Sequence, residues 1–212
     1  MWRKSIALAI MATLPHSGGA VGGERIKVKS AKQLKMEGVQ RQTLDYSCGA
    51  ASLAILLQHY FGESYSEEEL LTDITLRLSP EELKERVTQG FSMLDLKRAA
   101  ARLGFSAEGV MLPSEAVSAL KGPVIILLRR EGLNHFVVLK GESGGRAFLV
   151  DPARGHLRMP LYAFFEQWRG EALIVGRDGF GLPIWHALSP PTGRAVAPEA
   201  ETVRALQYIP SN

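Results

Sequence analysis

Residues 135–151 read His135-Phe136-Val137-Val138-Leu139-Lys140-Gly141-Glu142-Ser143-Gly144-Gly145-Arg146-Ala147-Phe148-Leu149-Val150-Asp151, two apolar, β-branched runs on either side of a glycine-rich turn. The pattern predicts a hairpin of strands over 135–140 and 146–150. If the hairpin is centred on Ser143, His135 lies directly opposite Asp151. Opposed residues of antiparallel strands share a face and sit a few ångströms apart. The acid would then hold the tautomer and orientation of the imidazole. A slip of one residue would break the pairing. Taken singly, His135 reads equally well as a strand-end histidine satisfied by backbone, and Asp151-Pro152 as a strand-ending turn.

Working outward, Val124-Ile125-Ile126-Leu127-Leu128 is continuously apolar and suits a central strand. A short strand is expected near Phe105–Glu108, a helix over Ser114–Leu120, another over Pro160–Trp168, and a last strand at Ala172–Gly176. Upstream the periodicity is helical. The run from Cys48 to Phe61 places Leu53, Ala54, Leu56, Leu57 and Tyr60 at helical spacing, with Gly62 as a stop. Ser66 and Ser92 are expected N-caps, the second with Asp95 three residues on. Polar helices are expected at 31–37 and after Pro80. Helices followed by an antiparallel sheet argue for an α+β domain, N-terminal helices packed on a C-terminal sheet.

The single cysteine falls where a polar, turn-prone lead-in (Arg41-Gln42-Thr43-Leu44-Asp45-Tyr46-Ser47) meets the first apolar helix. Unpaired N–H groups and the positive end of the helix dipole at such a start favour an ionised thiol, the form that chemistry requires. By itself, a single cysteine is more often a small buried apolar residue than a nucleophile. With a candidate base (His135), a candidate orienting acid (Asp151) and a candidate oxyanion donor (the Gln42 amide, beside the Cys48 N–H), a nucleophilic site becomes the stronger reading. Ser52 reads as packing. His59, His156 and His186 show no metal-ligand spacing, and no phosphate-binding glycine motif occurs, so no metal, ATP or dinucleotide is expected.

The 212-residue chain opens with a basic Trp2-Arg3-Lys4, an apolar Ser5–Leu14 and small residues to Ala20, the layout of a signal peptide over 1–20. Export to the periplasm is expected; left uncut, the segment would be an inner-membrane anchor. Losing Arg3 and Lys4 lowers the formal charge from +3 to +1, and no Lys/Arg cluster of nucleic-acid type remains. Residues 21–37 read as a linker and 178–212 as a tail with a short helix at 199–206.

Four blocks carry a family resemblance. Gln42-x5-Cys48-Gly49-Ala50-Ala51-Ser52-Leu53-Ala54, Gly90-Phe91-Ser92-x2-Asp95-Leu96, His135-Phe136-Val137-Val138-Leu139 and Asp151-Pro152, in this order over 38–177, resemble the C39 peptidase domain. The resemblance implies a papain-like fold and a thiol protease that cleaves leader peptides after a double glycine. It implies Cys48 as nucleophile, His135 as general base, Asp151 as orienting acid and Gln42 in the oxyanion hole. Family members commonly carry an acid before the cysteine, where this chain has Ser47. The best-known members are domains of ABC exporters; this chain is more similar to stand-alone exported members, one group of which accompanies a functional-amyloid (Fap) secretion system. That likeness implies a secreted or amyloid-type polypeptide substrate and association with a secretion apparatus. A non-cleaving, chaperone-like peptide-binding module is the alternative.

Overall fold

The computed structural model describes residues 29–130 and 133–191. The expected signal peptide, the start of the linker and the helix at 199–206 lie outside the described residues. Helices come first: α1 (Ala31–Lys35), α2 (Cys48–Leu56), α3 (Glu67–Thr75), α4 (Pro80–Gln89) and α5 (Met93–Arg102). A six-stranded antiparallel sheet follows, from β1 (Ser106–Met111), β2 (Val124–Arg130), β3 (Leu133–Ser143), β4 (Arg146–Asp151), β5 (Gly155–Pro160) and β6 (Trp168–Gly176), with α6 (Leu161–Gln167) between the last two. The order across the sheet is β1-β6-β2-β3-β4-β5, so the continuously apolar β2 is central, as its sequence predicts. No helix among the described residues is long and apolar enough to cross a membrane.

All nine residues of α2 are buried, because the segment is apolar on every side. It lies between α5 and one face of the sheet, where Leu53, Leu57, Leu96, Phe136, Val138, Val150 and Leu173 form the main core. Each such side chain removed from water contributes about 1.5–3 kcal/mol. A second core, with Val137, Leu139, Leu149, Phe164 and Trp168, covers the opposite face beneath α6. The helix does not end at Leu56; it continues as a wider π-helical turn, Leu57–Phe61, and stops at Gly62.

Several expectations need correction. The Ser114–Ala119 segment is a 3₁₀ helix, and β1 runs on to Met111. Strand β5 went unread because its burial follows no clean alternation. The first part of the expected tail packs back on the domain: Leu188 is 1% exposed, and the Phe180 ring meets Tyr60 edge-on and Phe61 at a tilt. The Arg177 guanidinium lies over the Phe61, Phe105 and Phe180 rings and pairs with Glu63.

The hairpin is also tighter than expected. Its turn is Gly144-Gly145, and the pairs beside it are Ser143↔Arg146, Glu142↔Ala147 and Gly141↔Phe148. That register, continued, would put Asp151 on the face opposite to His135. A bulge at Lys140 corrects this: beyond it the pairs are Leu139↔Leu149 and Val138↔Val150. Asp151 then falls level with Val137, diagonal to His135 and on the same face. The extra residue therefore restores the parity that the active constellation requires. Gly141, at φ 137°, makes the bulge, and a Cβ there would also approach the Pro190 ring at 3.4 Å. Gly141→Ala is expected to lower stability by about 1–3 kcal/mol and to reduce peptidase activity at temperatures well below unfolding. Unfolding curves and activity that both match the parent protein would show that the bulge does not depend on this glycine.

Candidate active site

The cleft begins at the end of the β3–β4 ladder. Continuing the register past Val138↔Val150 would pair Phe136 with Pro152, which has no N–H to offer. Strand β4 ends at Asp151, and the vacated edge of β3 receives α2. The Phe136 N–H points at Cys48 Sγ (3.5 Å), and the Phe136 C=O accepts from Ser52 Oγ at 3.0 Å. Cys48 and Ser52 are one helical turn apart on one face of α2. Ser52, expected to be packing alone, is thus a buried hydrogen-bonding clamp. Its spacing of four from the cysteine was the only sequence signal.

This clamp sets the nucleophile beside the next residue back along β3, His135. Its Nε2 bonds Asp151 Oδ1 at 2.9 Å, which leaves Nδ1 for the sulfur. Burial works against protonation of the ring. Hydrogen bonds to Asp151 and Cys48, together with the charges on both, outweigh it and raise the His135 pKa to about 9. Asp151 is fully buried. Burial pushes its carboxyl up, but His135, Arg154 and the Ala153 N–H hold it at about 2. Its Oδ1 also accepts from the N–H groups of Ala153 and Arg154, and its Oδ2 from Arg154 Nε at 2.6 Å. Sequence reasoning passed over Arg154, an ordinary cation three residues downstream.

Gln42 reaches the same cleft from the lead-in loop. Its backbone N–H donates to the Pro152 carbonyl at 3.2 Å. On either side of it, Gln40 Oε1 accepts from the Glu67 N–H, and Glu67 accepts from the N–H and hydroxyl of Thr43. The loop is therefore pinned between α3 and the Asp151-Pro152 turn. Gln42 Nε2 spends one hydrogen on the Leu44 carbonyl (3.1 Å), leaving the second. Its Oε1 is buried without a partner.

The start of α2 differs from those of the four other helices that precede the sheet. Helices α1, α3, α4 and α5 each carry a capping box, at Ser30/Gln33, Ser66/Glu69, Ser79/Glu82 and Ser92/Asp95. At α2, Ser47 makes no cap; its hydroxyl closes a turn with the Leu44 N–H and C=O instead. The first N–H groups of α2, that of Cys48 among them, thus stay without a side-chain acceptor. The cleft encloses about 790 Å³, walled by Val87–Gly90 on one side and Asn134, Ala153, Arg154 and Gln167 on the other. The Val87–Gly90 wall is fixed by the Arg86–Asp95 ion pair between α4 and α5 (2.6 Å). His59, His156 and His186 lie away from this cleft, where His59 and His156 bond the carbonyls of Gly38 and Glu37.

Comparison with known proteins agrees with this geometry. The chain is 34% identical over 185 residues to a protein of Pseudomonas aeruginosa named probable functional amyloid protease FapD, covering 86% of this chain and 80% of that one. It is 30% identical over 191 residues to the Pseudomonas fluorescens protein of the same name, covering 90% and 80%. Among solved structures it resembles a double glycine motif protease from an AMS/PCAT transporter in complex with the leader peptide, at 32% identity and a TM-score of 0.55, over 66% of this chain and 90% of that one. The peptidase domain of Streptococcus ComA, a bi-functional ABC transporter, shares the fold at 24% identity and a TM-score of 0.54, over 65% and 96%. The model of the Peptidase C39 family matches residues 37–178, so the chain belongs to that family and is a cysteine peptidase with a papain-like fold.

Proposed function

We propose that this peptidase is exported and cleaves a secreted polypeptide after a Gly-Gly pair, with Cys48 as nucleophile, His135 as general base and acid, Asp151 as its orienting carboxylate and Gln42 as an oxyanion donor. The observation that carries the reading is the single imidazole held between the buried Asp151 and the sulfur of Cys48. Cys48 thiolate attacks the scissile carbonyl. The developing oxyanion takes hydrogen bonds from the Cys48 N–H and the remaining Gln42 amide hydrogen. His135 passes its Nδ1 proton to the leaving amine, then takes one from water as the acyl-enzyme is hydrolysed. With nucleophile, base and acid all assembled, the site offers no support to a non-cleaving module.

The Gly-Gly preference is supported by likeness to the double glycine motif protease, and an amyloid-type substrate by the names of the two Pseudomonas relatives. Export is supported by the signal-like residues 1–20; on this reading the domain works in the periplasm, released if the segment is cut and held at the inner membrane if it is not. A periplasmic peptidase acting on a secreted chain would work beside the secretion apparatus.

Cys48→Ala and His135→Ala are each expected to abolish cleavage of a Gly-Gly peptide while circular dichroism stays native. Replacing Gly-Gly by Ala-Ala in the peptide should cut kcat/KM sharply; wild-type turnover by either variant, read by mass spectrometry, would overturn the mechanism. Gln42→Ala should cost about 10²–10³ in kcat, the effect of losing one oxyanion donor, with little change in KM. The pH profile follows from His135. Its pKa is raised, so the productive imidazolium is present below about 9 and lost as the pH climbs through that value. Activity should fall on the same alkaline side, and Asp151→Asn should move the fall to lower pH. An alkaline fall that Asp151→Asn leaves in place would show that another group titrates.

A further inference from the structure

A second cavity of about 410 Å³ adjoins the catalytic cleft, and Ala153 and Arg154 line both. Four of the side chains around it are cations: Lys32 and Lys35 on α1, Arg41 just before the Gln42 loop position, and Arg154. None is an acid. Met36 and Leu157 supply an apolar floor. Arg154 is engaged through Nε by Asp151. Among the described residues, no carboxylate pairs with Lys32, Lys35 or Arg41, and Glu37, the acid nearest along the chain, is taken by Lys29. The cavity owes its shape to the close seating of α1 on β5. A Cβ at Gly155 would lie 2.2 Å from the Lys35 carbonyl oxygen, and His156 bonds the Glu37 carbonyl at 3.1 Å.

Uncompensated cations around an apolar floor, opening onto the site of cleavage, suit a peptide that alternates carboxylates with an apolar side chain. We infer that this basic cavity binds an acidic segment of the polypeptide substrate flanking the scissile bond, and so selects which chains reach Cys48. The inference rests on the peptidase reading above and deepens it.

The test uses internally quenched peptides with a central Gly-Gly, flanked on both sides by Glu-Leu-Glu-Glu or by Gln-Leu-Gln-Gln. Wild-type protein should cleave the Glu peptide with a kcat/KM about 10-fold above that of the Gln peptide, the difference residing in KM. The preference should vanish in Lys32→Gln/Lys35→Gln/Arg41→Gln and in about 0.5 M salt, while alkylation of Cys48 by a haloacetamide is unchanged in the triple variant. Equal cleavage of the two peptides, or a preference that survives in the triple variant, overturns the inference. So does a preference that emerges only once residues 192–212 are removed, which would make the tail the occupant. Binding of anionic phosphatidylglycerol vesicles through these cations, without discrimination between the peptides, would also overturn it. If neither peptide is cut and Cys48 resists alkylation, the peptidase reading fails. Fluorescence anisotropy of the labelled Glu and Gln peptides on the Cys48→Ala protein then decides the cavity by itself: tighter binding of the Glu peptide, lost with the three cations, supports it, and equal binding refutes it.

Discussion

The active site depends on how the backbone of Phe136 is satisfied. Its N–H and C=O point to the same edge of β3, where β4 would normally pair with them. Pro152 stands at the pairing position and cannot donate, so the ladder stops and two buried polar groups need partners. Leaving them unpaired would cost about 1–3 kcal/mol each. Helix α2 supplies both partners, Cys48 Sγ and Ser52 Oγ, from one face. The nucleophile is thereby keyed to the residue adjoining its base. Because every residue of α2 is buried, the helix cannot rotate away without breaking the clamp and the core together.

Charge is handled with the same economy. A fully buried carboxylate is tolerable only when its lone pairs are filled and its charge is met. Asp151 has an imidazole, a guanidinium and two backbone N–H groups around it. It stays ionised, and its charge in turn keeps a proton on His135 despite burial. Arg154 thus stabilises the acid that orients the base, and it does so from the rim that joins the cleft to the neighbouring basic cavity.

The same economy governs the lead-in loop. Gln42 belongs to no helix or strand, yet its neighbours tie the loop to α3 and its own N–H ties it to the Asp151-Pro152 turn. The uncapped start of α2 completes this arrangement, since its first N–H groups, that of Cys48 among them, have no side-chain acceptor.

Much of this was legible in one dimension, and the boundary is physical. Local composition determined the buried helix beginning at Cys48, the caps at Ser66 and Ser92, the central apolar strand and the hairpin carrying His135 and Asp151, because hydrophobic period and capping act over a few residues. It also placed sulfur, imidazole and carboxylate as candidates for one site. The direct pairing of 135 with 151 was not right: the turn closes on Gly144-Gly145, and only the bulge at Lys140 returns the two side chains to a common face, one step out of alignment. Strand β5, the Ser52 clamp, the Arg154 brace and the packing of Phe180 and Leu188 were likewise settled in three dimensions. Each of these depends on partners distant along the chain, where register, edge exposure and the pairing of buried polar groups are decided by the assembled fold and leave little trace in local sequence.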